Sequence, residues 1–324
     1  MALQCGGWPA LSRRDGDDRP ATHPAGAVDG RRAEDQACFV GRAFLEDGAL
    51  RQAECIRLLQ ATLPRLGLHW PAFRKVRGQL CKRIRRRMGE LGLGSFDAYR
   101  KRLEAEPEEW RVLDGLCHVT ISRFGRDHPV FDSLTRHGLP DAAQRAHEEA
   151  RPVRVWSAGC ASGEEAYTIR ILWDLFVQQD WPHVGLDIVA TDVDERILER
   201  ARTACYPRSS LRELSPDIIH RAFDSTGGEY CVKPAHRHDI DFACQDLRRE
   251  IPRGTFDLIS CRNVAFTYFA GPLQLETLER LVSALRPSGH LVIGARETLP
   301  EHDHRLIPIC AEGDSSGIPK AGEF

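Results

Sequence analysis

The sequence predicts an α/β protein in which a doubly wound, Rossmann-like domain follows a small all-α domain. Two observations carry this. From Val153 onward, short apolar runs alternate with amphipathic stretches of helical period, the pattern of βαβ units on a mostly parallel sheet. Before about residue 135, apolar residues recur at spacings of three and four around a strongly basic segment, residues 74–102. The 324 residues give ample length for two modest domains. The predicted boundaries are a disordered segment over 1–36, the all-α domain over 37–135, the α/β domain over 136–310 and a disordered tail over 311–324.

The first segment is rich in Gly, Pro, Ala, Asp and Arg and poor in bulky apolar residues. From about Phe44 the pattern turns helical, with Leu45, Leu50, Ile56, Leu59 and Leu63 on one stripe. Residues 70–91 read as one helix, its apolar stripe Phe73, Val76, Leu80, Ile84, Met88 and Leu91. The other faces carry Arg74, Lys75, Arg77, Lys82, Arg83, Arg85, Arg86 and Arg87. Gly92 and Gly94 stop it, Ser95 caps a helix over 96–104, and Pro107 opens another through Leu116. Residues 120–126, TISRFGR, read as an extended connector, and 137–152 as a polar linker or helix.

The α/β domain opens with VRVWSAGCASGEEAYT, residues 153–168: a buried strand, a turn of small residues, and a helix begun by Glu164 and Glu165. Gly159 and Gly163 let the backbone pass where a side chain would collide. A second strand, residues 186–191, ends in Asp192, placed to grip ribose hydroxyls. The spacing is not G-x-G-x-x-G, no P-loop lysine is present, and two carboxylates at the helix start repel phosphate. A cationic nucleoside without phosphates, such as S-adenosylmethionine, fits better. Helices follow at 195–203 and 211–223, a turn at 226–228, and strands at 230–233, 240–243 and 257–260. An amphipathic helix over 272–285 and a turn at Pro287-Ser288-Gly289 lead to a strand over 290–294.

Hydrophobic content of 42% and charged content of 28% are ordinary for a soluble protein. No apolar run approaches the roughly 18 residues of a membrane span, and no signal-peptide pattern opens the chain. Eleven scattered cysteines without a C-x-x-C pair read as reduced thiols of a cytoplasmic protein, with no metal site. His236 with His238, and His302 with His304, read as surface residues of polar stretches. The net charge of −2 hides the basic helix. Such a charge run is ordinarily a solvated face; the functional alternative is docking of an anionic partner. No aromatic residues interleave with its arginines, which argues against single-stranded nucleic acid.

VWSAGCASGEEAYT, ATDVD, FDLISCRN and LRPSGHLVIGARETL, behind a basic RIRRRM helix, together resemble the CheR-type chemotaxis-receptor methyltransferases from about Phe44 to Pro300. The resemblance implies esterification of protein glutamates by S-adenosylmethionine. It implies cofactor contacts from Thr120, Ser122, Arg126, Gly159, Gly163, Glu165 or Glu164, Asp192, Asp246, Leu247, Cys261 and Arg262. Arg126 and Tyr268 then stand near the transferred methyl, and Arg83, Arg86 and Arg87 dock an acidic helix of a chemoreceptor or receptor-like protein. Neither nucleic acid nor membrane insertion is implied, and the chain is expected to act as a monomer. Departures are Thr120 and Ser122 for the more usual Asn and Thr, Asp246 for Asn, an RNVAFTYF stretch one residue longer, and GARET for G-H-S-E-N. Beyond Pro300 only residues 305–310 suggest a strand where the fold normally closes with an antiparallel pair. The excursion over 227–239 is short, as in members that do not grip a receptor pentapeptide. Two other readings stay open: a small-molecule carboxylate as acceptor, or a cofactor-binding regulatory module without turnover.

Overall fold

The computed structural model describes residues 52–302 and 306–308. The expectations for residues 1–36 and 311–324, for Leu45 and Leu50, and for His304 lie outside them. Compactness divides the chain into Met1–Ile56 and Arg57–Phe324; both sheets and the helices from Trp70 onward belong to the second unit.

The described strands are β1 (Val153–Ala158), β2 (Leu186–Asp192), β3 (Cys205–Pro207), β4 (Phe223–Thr226), β5 (Glu229–Val232), β6 (Ile240–Cys244), β7 (Phe256–Ser260) and β8 (Leu285–Val292). Five form one sheet in the order β6-β2-β1-β7-β8, and every pairing in it is parallel. β1 and β7 lie inside it and are buried on both faces, so their burial does not alternate along the strand. The chain winds outward from β1 through β2 to β6, then crosses back to β7 and β8. The order therefore reverses between β1 and β7, and a crevice opens beyond the strand ends there. β8 begins at Leu285, earlier than expected. Its register jumps from Phe256↔Leu285 to Leu258↔His290, so the predicted Pro287-Ser288-Gly289 turn is absorbed as a bulge. Of the strand expected over 305–310, the described part, residues 306–308, is irregular.

β3, β5 and β4 make a small antiparallel sheet in that order. Cys205 and Cys231 face each other across the β3–β5 pair and are joined by a disulfide, so the expectation of wholly reduced thiols fails. The two are 26 residues apart, and only strand pairing brings them together. Cys117, Cys160, Cys244 and Cys261 are free thiols. His236 also departs from expectation: it is 7% exposed, with Nδ1 2.6 Å from Asp174 Oδ2.

The N-terminal helices keep their predicted caps. Gly92 adopts φ +68°, with the Leu93 amide donating to Met88 O, and Ser95 Oγ accepts from the Ala98 amide. Helices Phe96–Ala105 and Pro107–Cys117 follow. The long basic helix is split into Trp70–Phe73 and Arg77–Glu90. Contacts elsewhere outweigh its continuous periodicity. The His69 amide donates to Tyr268 O, the Ala270 amide donates to Gly67 O, and the Phe73 ring packs 5.0 Å from that of Tyr268. Residues 137–152 resolve to helix Leu139–Glu148, whose Leu139, Ala142, Ala143 and Ala146 are fully buried.

Candidate active site

A cleft of about 740 Å³, open solvent included, lies at the C-terminal ends of β1, β2, β6 and β7. On the sheet side the backbone does the positioning. β1 is followed by Gly159 at φ +77°, and the Gly159 and Cys160 amides both donate to Thr191 O, latching the turn to β2. A Cβ on Gly159 would sit 2.5 Å from Val264 Cγ2, so glycine is required on both counts. Asp192, at the end of β2, accepts the Ala161 amide on Oδ2 (2.9 Å) and the Asp194 amide on Oδ1 (3.1 Å). Burial pushes its carboxyl pKa up while these amides oppose the shift. Each oxygen keeps a lone pair for a further donor. After β6, Gln245 to Arg248 continue the wall, the Gln245 amide donating to Asp192 O.

The other side is helical. Phe73, Asp114 and His118 face the cleft, and the Arg248 guanidinium bonds both oxygens of Asp114, at 2.8 and 2.6 Å. Burial pushes the Asp114 carboxyl up, but His118 and Arg248 hold it well below the usual carboxylate range.

Tyr268 also lines the cleft, its ring 5.0 Å from that of Phe73. Burial raises its hydroxyl pKa, and the Arg126 charge works against that rise. Arg126 donates to Ile121 O and to Asn263 Oδ1 (3.2 Å). Asn263 adopts φ +57°, and its amide donates to Glu297 Oε2 at 2.8 Å. Glu297 also accepts from the Gly294 amide and the Thr267 hydroxyl, so the GARET stretch folds back to brace the turn after β7.

Comparison with known proteins agrees with this geometry. Residues 120–312 match the family model described as CheR methyltransferase, SAM binding domain, and residues 75–113 match the CheR methyltransferase all-alpha domain. Chemotaxis protein methyltransferase 1 of Pseudomonas aeruginosa is 31% identical over 239 residues, covering 71% of this chain and 86% of that protein. The chain belongs to the CheR methyltransferase family. Chemotaxis protein methyltransferase of Salmonella typhimurium is 33% identical over 261 residues, 77% of this chain and 85% of its own. An uncharacterized 104.1 kDa protein of Rhodobacter capsulatus is 34% identical over 225 residues, but the match spans 23% of its length.

As a CheR-family methyltransferase the chain takes S-adenosylmethionine, and its cleft suits that cofactor. Of the acids in its walls, Asp114 and Asp246 are both bonded by Arg248, whereas Asp192 is held by backbone amides and keeps acceptor capacity for a ligand hydroxyl. Of the sequence-predicted site residues, Thr120, Gly159, Asp192, Asp246, Leu247 and Tyr268 line the cleft together. The others lie outside its wall. Gly163 adopts φ +86°, and a Cβ there would meet Ala201 and Phe242 at about 3 Å, so it lets a helix pack on the sheet. Glu164, 2% exposed, is bonded by Ser162, and Ser122 lies within hydrogen-bonding reach of it; burial pushes its carboxyl pKa up. Glu165 accepts from Ser157 Oγ and pairs with Arg262 at 3.1 Å. Cys261 and Arg262, expected on the floor, lie beneath it. Cys261 is fully buried, and Arg262 ties Glu165, Asp127 and Arg126 O into one network. The residues after them, Asn263 and Val264, form that wall instead.

Two of the three predicted docking arginines are engaged internally. Arg83 donates to Leu116 O and His118 O, and Arg87 forms a two-point pair with Glu109, which is 3% exposed. Arg86 is exposed, beside Glu90, and the outward basic face is Lys82, Arg85 and Arg86. Sequence reasoning missed Asp114, His118, Gln245 and Arg248. Asn263 stood inside FDLISCRN, where its place after Arg262 was the available signal.

Proposed function

We propose that this chain esterifies glutamate side chains on an acidic helix of a chemoreceptor, with the carboxylate entering the cleft beside Tyr268 and Arg126. One observation carries the reading. Asp192, held by two backbone amides, shares a single cleft with Thr120, Leu247 and Tyr268, joining a diol-binding carboxylate to a polar, aromatic mouth.

S-adenosylmethionine, when bound, supplies an electrophilic methyl on a positively charged sulfur. The residues proposed to hold it are Asp192 at the ribose, the Asp246–Leu247 loop at the adenine and Thr120 across the cleft. A glutamate carboxylate has a reference pKa of about 4.3 and is ionised at neutral pH, so no general base is required of the chain. Its task is alignment, which can contribute on the order of 7–11 kcal/mol. Arg126 is already tethered by Asn263 and Ile121, so it presents its remaining N–H groups from a fixed position. Transfer removes charge from the carboxylate, so tight ion pairing with Arg126 would slow the reaction; its proposed role is positioning. Lys82, Arg85 and Arg86 meet the acidic helix. The same reading has the enzyme act as a cytoplasmic monomer.

The test is transfer of a tritiated methyl group to an acidic helical receptor fragment. Label released as methanol in mild base identifies esters, and base-stable label rules the reading out. Arg126→Ala is expected to lower turnover at least about 100-fold with the circular dichroism spectrum unchanged. Unchanged turnover would remove Arg126 from the mechanism.

A further inference from the structure

Glu297 stands at one end of a chain of contacts that leads to Arg126. Its Oε2 accepts two backbone amides, from Asn263 at 2.8 Å and from Gly294 at 2.7 Å, and its Oε1 accepts the Thr267 hydroxyl. The Glu297 amide donates back to Gly294 O, closing the turn on itself. A Cβ on Gly294 would sit 2.8 Å from Glu297 Oε2 and 3.1 Å from Asn263 Nδ2, so a side chain there would push the carboxylate away. Ala295 and Arg296 are exposed, and the GARET stretch meets the turn after β7 through Gly294 and Glu297.

What the carboxylate holds is a sparsely populated conformation. Asn263 has φ +57°, a left-handed setting that residues with a Cβ adopt rarely and asparagine more readily than most. From that setting its carboxamide faces two ways. Oδ1 accepts from Arg126 Nη2 at 3.2 Å, and Nδ2 donates to Asp127 Oδ2 at 3.4 Å. Asn263 also lines the cleft. The tether from Arg126 Nη1 to Ile121 O stays within the arginine's own segment, so the Asn263 bond is what relates the guanidinium to the cleft wall. Thr267 belongs to helix Ala265–Tyr268, so the same carboxylate is joined to the helix that bears Tyr268. Without Glu297 two amides lose their acceptor, and Asn263 is free to leave the left-handed region.

We propose that Glu297 is a positioning residue for methyl transfer: it holds Asn263 in the left-handed turn from which the Asn263 carboxamide fixes the Arg126 guanidinium. Glu297 lies outside the cleft wall and acts through these neighbours, and its assignment rests on the role of Arg126 proposed above. Displacing a positioned group by about 1 Å can cost about 100-fold in rate. The task requires an acceptor rather than a charge, since both donors to Oε2 are neutral amides.

The test measures ester-forming turnover on the acidic receptor fragment beside S-adenosylhomocysteine affinity by calorimetry. Glu297→Ala is expected to lower kcat about 10- to 100-fold while the dissociation constant changes less than about threefold. Glu297→Gln keeps an oxygen for the two amides and should turn over within about threefold of the wild type. Added to Arg126→Ala, Glu297→Ala should cost less than about threefold more, because the group it positions is already gone. Should Glu297→Ala fail to fold, Asn263→Gly decides. It keeps the left-handed turn, removes the carboxamide and should lower kcat by a similar factor. Equal losses from Glu297→Ala in both backgrounds, a Glu297→Gln as slow as Glu297→Ala, or full turnover in Asn263→Gly would each overturn the assignment and leave Arg126 in place. If Arg126→Ala itself turns over normally, the role of Arg126 falls and this inference with it.

Discussion

The two walls of the cleft are built on different principles. The sheet wall is made by backbone. Strand ends deliver Gly159, Asp192 and Gln245 to one place, and amide-to-carbonyl bonds between neighbouring turns fix them. The helical wall is made by side chains. Asp114 reaches Arg248 across 134 residues of sequence, Phe73 packs at a tilt against Tyr268, and Arg87 holds buried Glu109. The sheet wall should therefore tolerate changes around it but not at it. The helical wall should respond gradually, through stability and docking.

The largest effect is expected on the sheet wall. Asp192→Ala removes the acceptor of two backbone amides and the proposed partner of the ribose diol. Affinity for S-adenosylhomocysteine should fall about 100-fold or more, read by calorimetry. A smaller loss would mean that the helical wall carries more of the binding than this contrast allows.

Next comes the ion pair behind the helical wall. Arg87 holds the Glu109 carboxyl below the usual carboxylate range against the opposing effect of burial, and the Tyr99 hydroxyl also donates to it. A depressed carboxylate pKa stabilises the fold above the unfolded-state value, about 4.3, and that contribution is lost as pH falls through the folded value. Thermal midpoints should therefore drop with acidification below about pH 4.3. Arg87→Met should lower stability by roughly 1–3 kcal/mol at pH 7 and shrink the acid dependence, with cofactor affinity little changed. An acid limb of the same size in the variant would show that other carboxylates dominate it.

The smallest effect belongs to the outer basic face. Reversing Lys82 and Arg85 to glutamate should raise KM for an acidic helical acceptor about threefold to tenfold at low salt, and the difference should fade near 1 M salt. An unchanged KM would make this face plain solvated surface and leave docking to other residues.

The same contrast explains what the sequence made legible. Gly159 and Asp192 announce themselves because their reasons are local: a left-handed turn, and an acid at a strand end. Ser95 and Gly92 were readable as caps for the same reason. Asp114, His118 and Gln245 carry no such mark, since their meaning comes from partners that only folding supplies. Local pattern also misled where tertiary contacts prevail. The stripe from Phe73 to Leu91 is continuous in sequence but broken in space, Arg83 and Arg87 look like surface charge yet bond inward, and Cys205 meets Cys231 only through strand register.

Phe124 has a bearing on how the reaction centre can vary. Its ring is fully buried between Tyr206 and Phe223, 4.8 and 5.0 Å away, and its amide donates to Ser210 O. Arg126 stands two residues further on, so the reach of that guanidinium is set by a rivet in the small antiparallel sheet, on ground remote from the cofactor. Substitutions in that annex can retune the arginine by fractions of an ångström without altering one atom of the pocket wall. Natural or engineered variants that differ only there should vary in turnover more than in cofactor affinity.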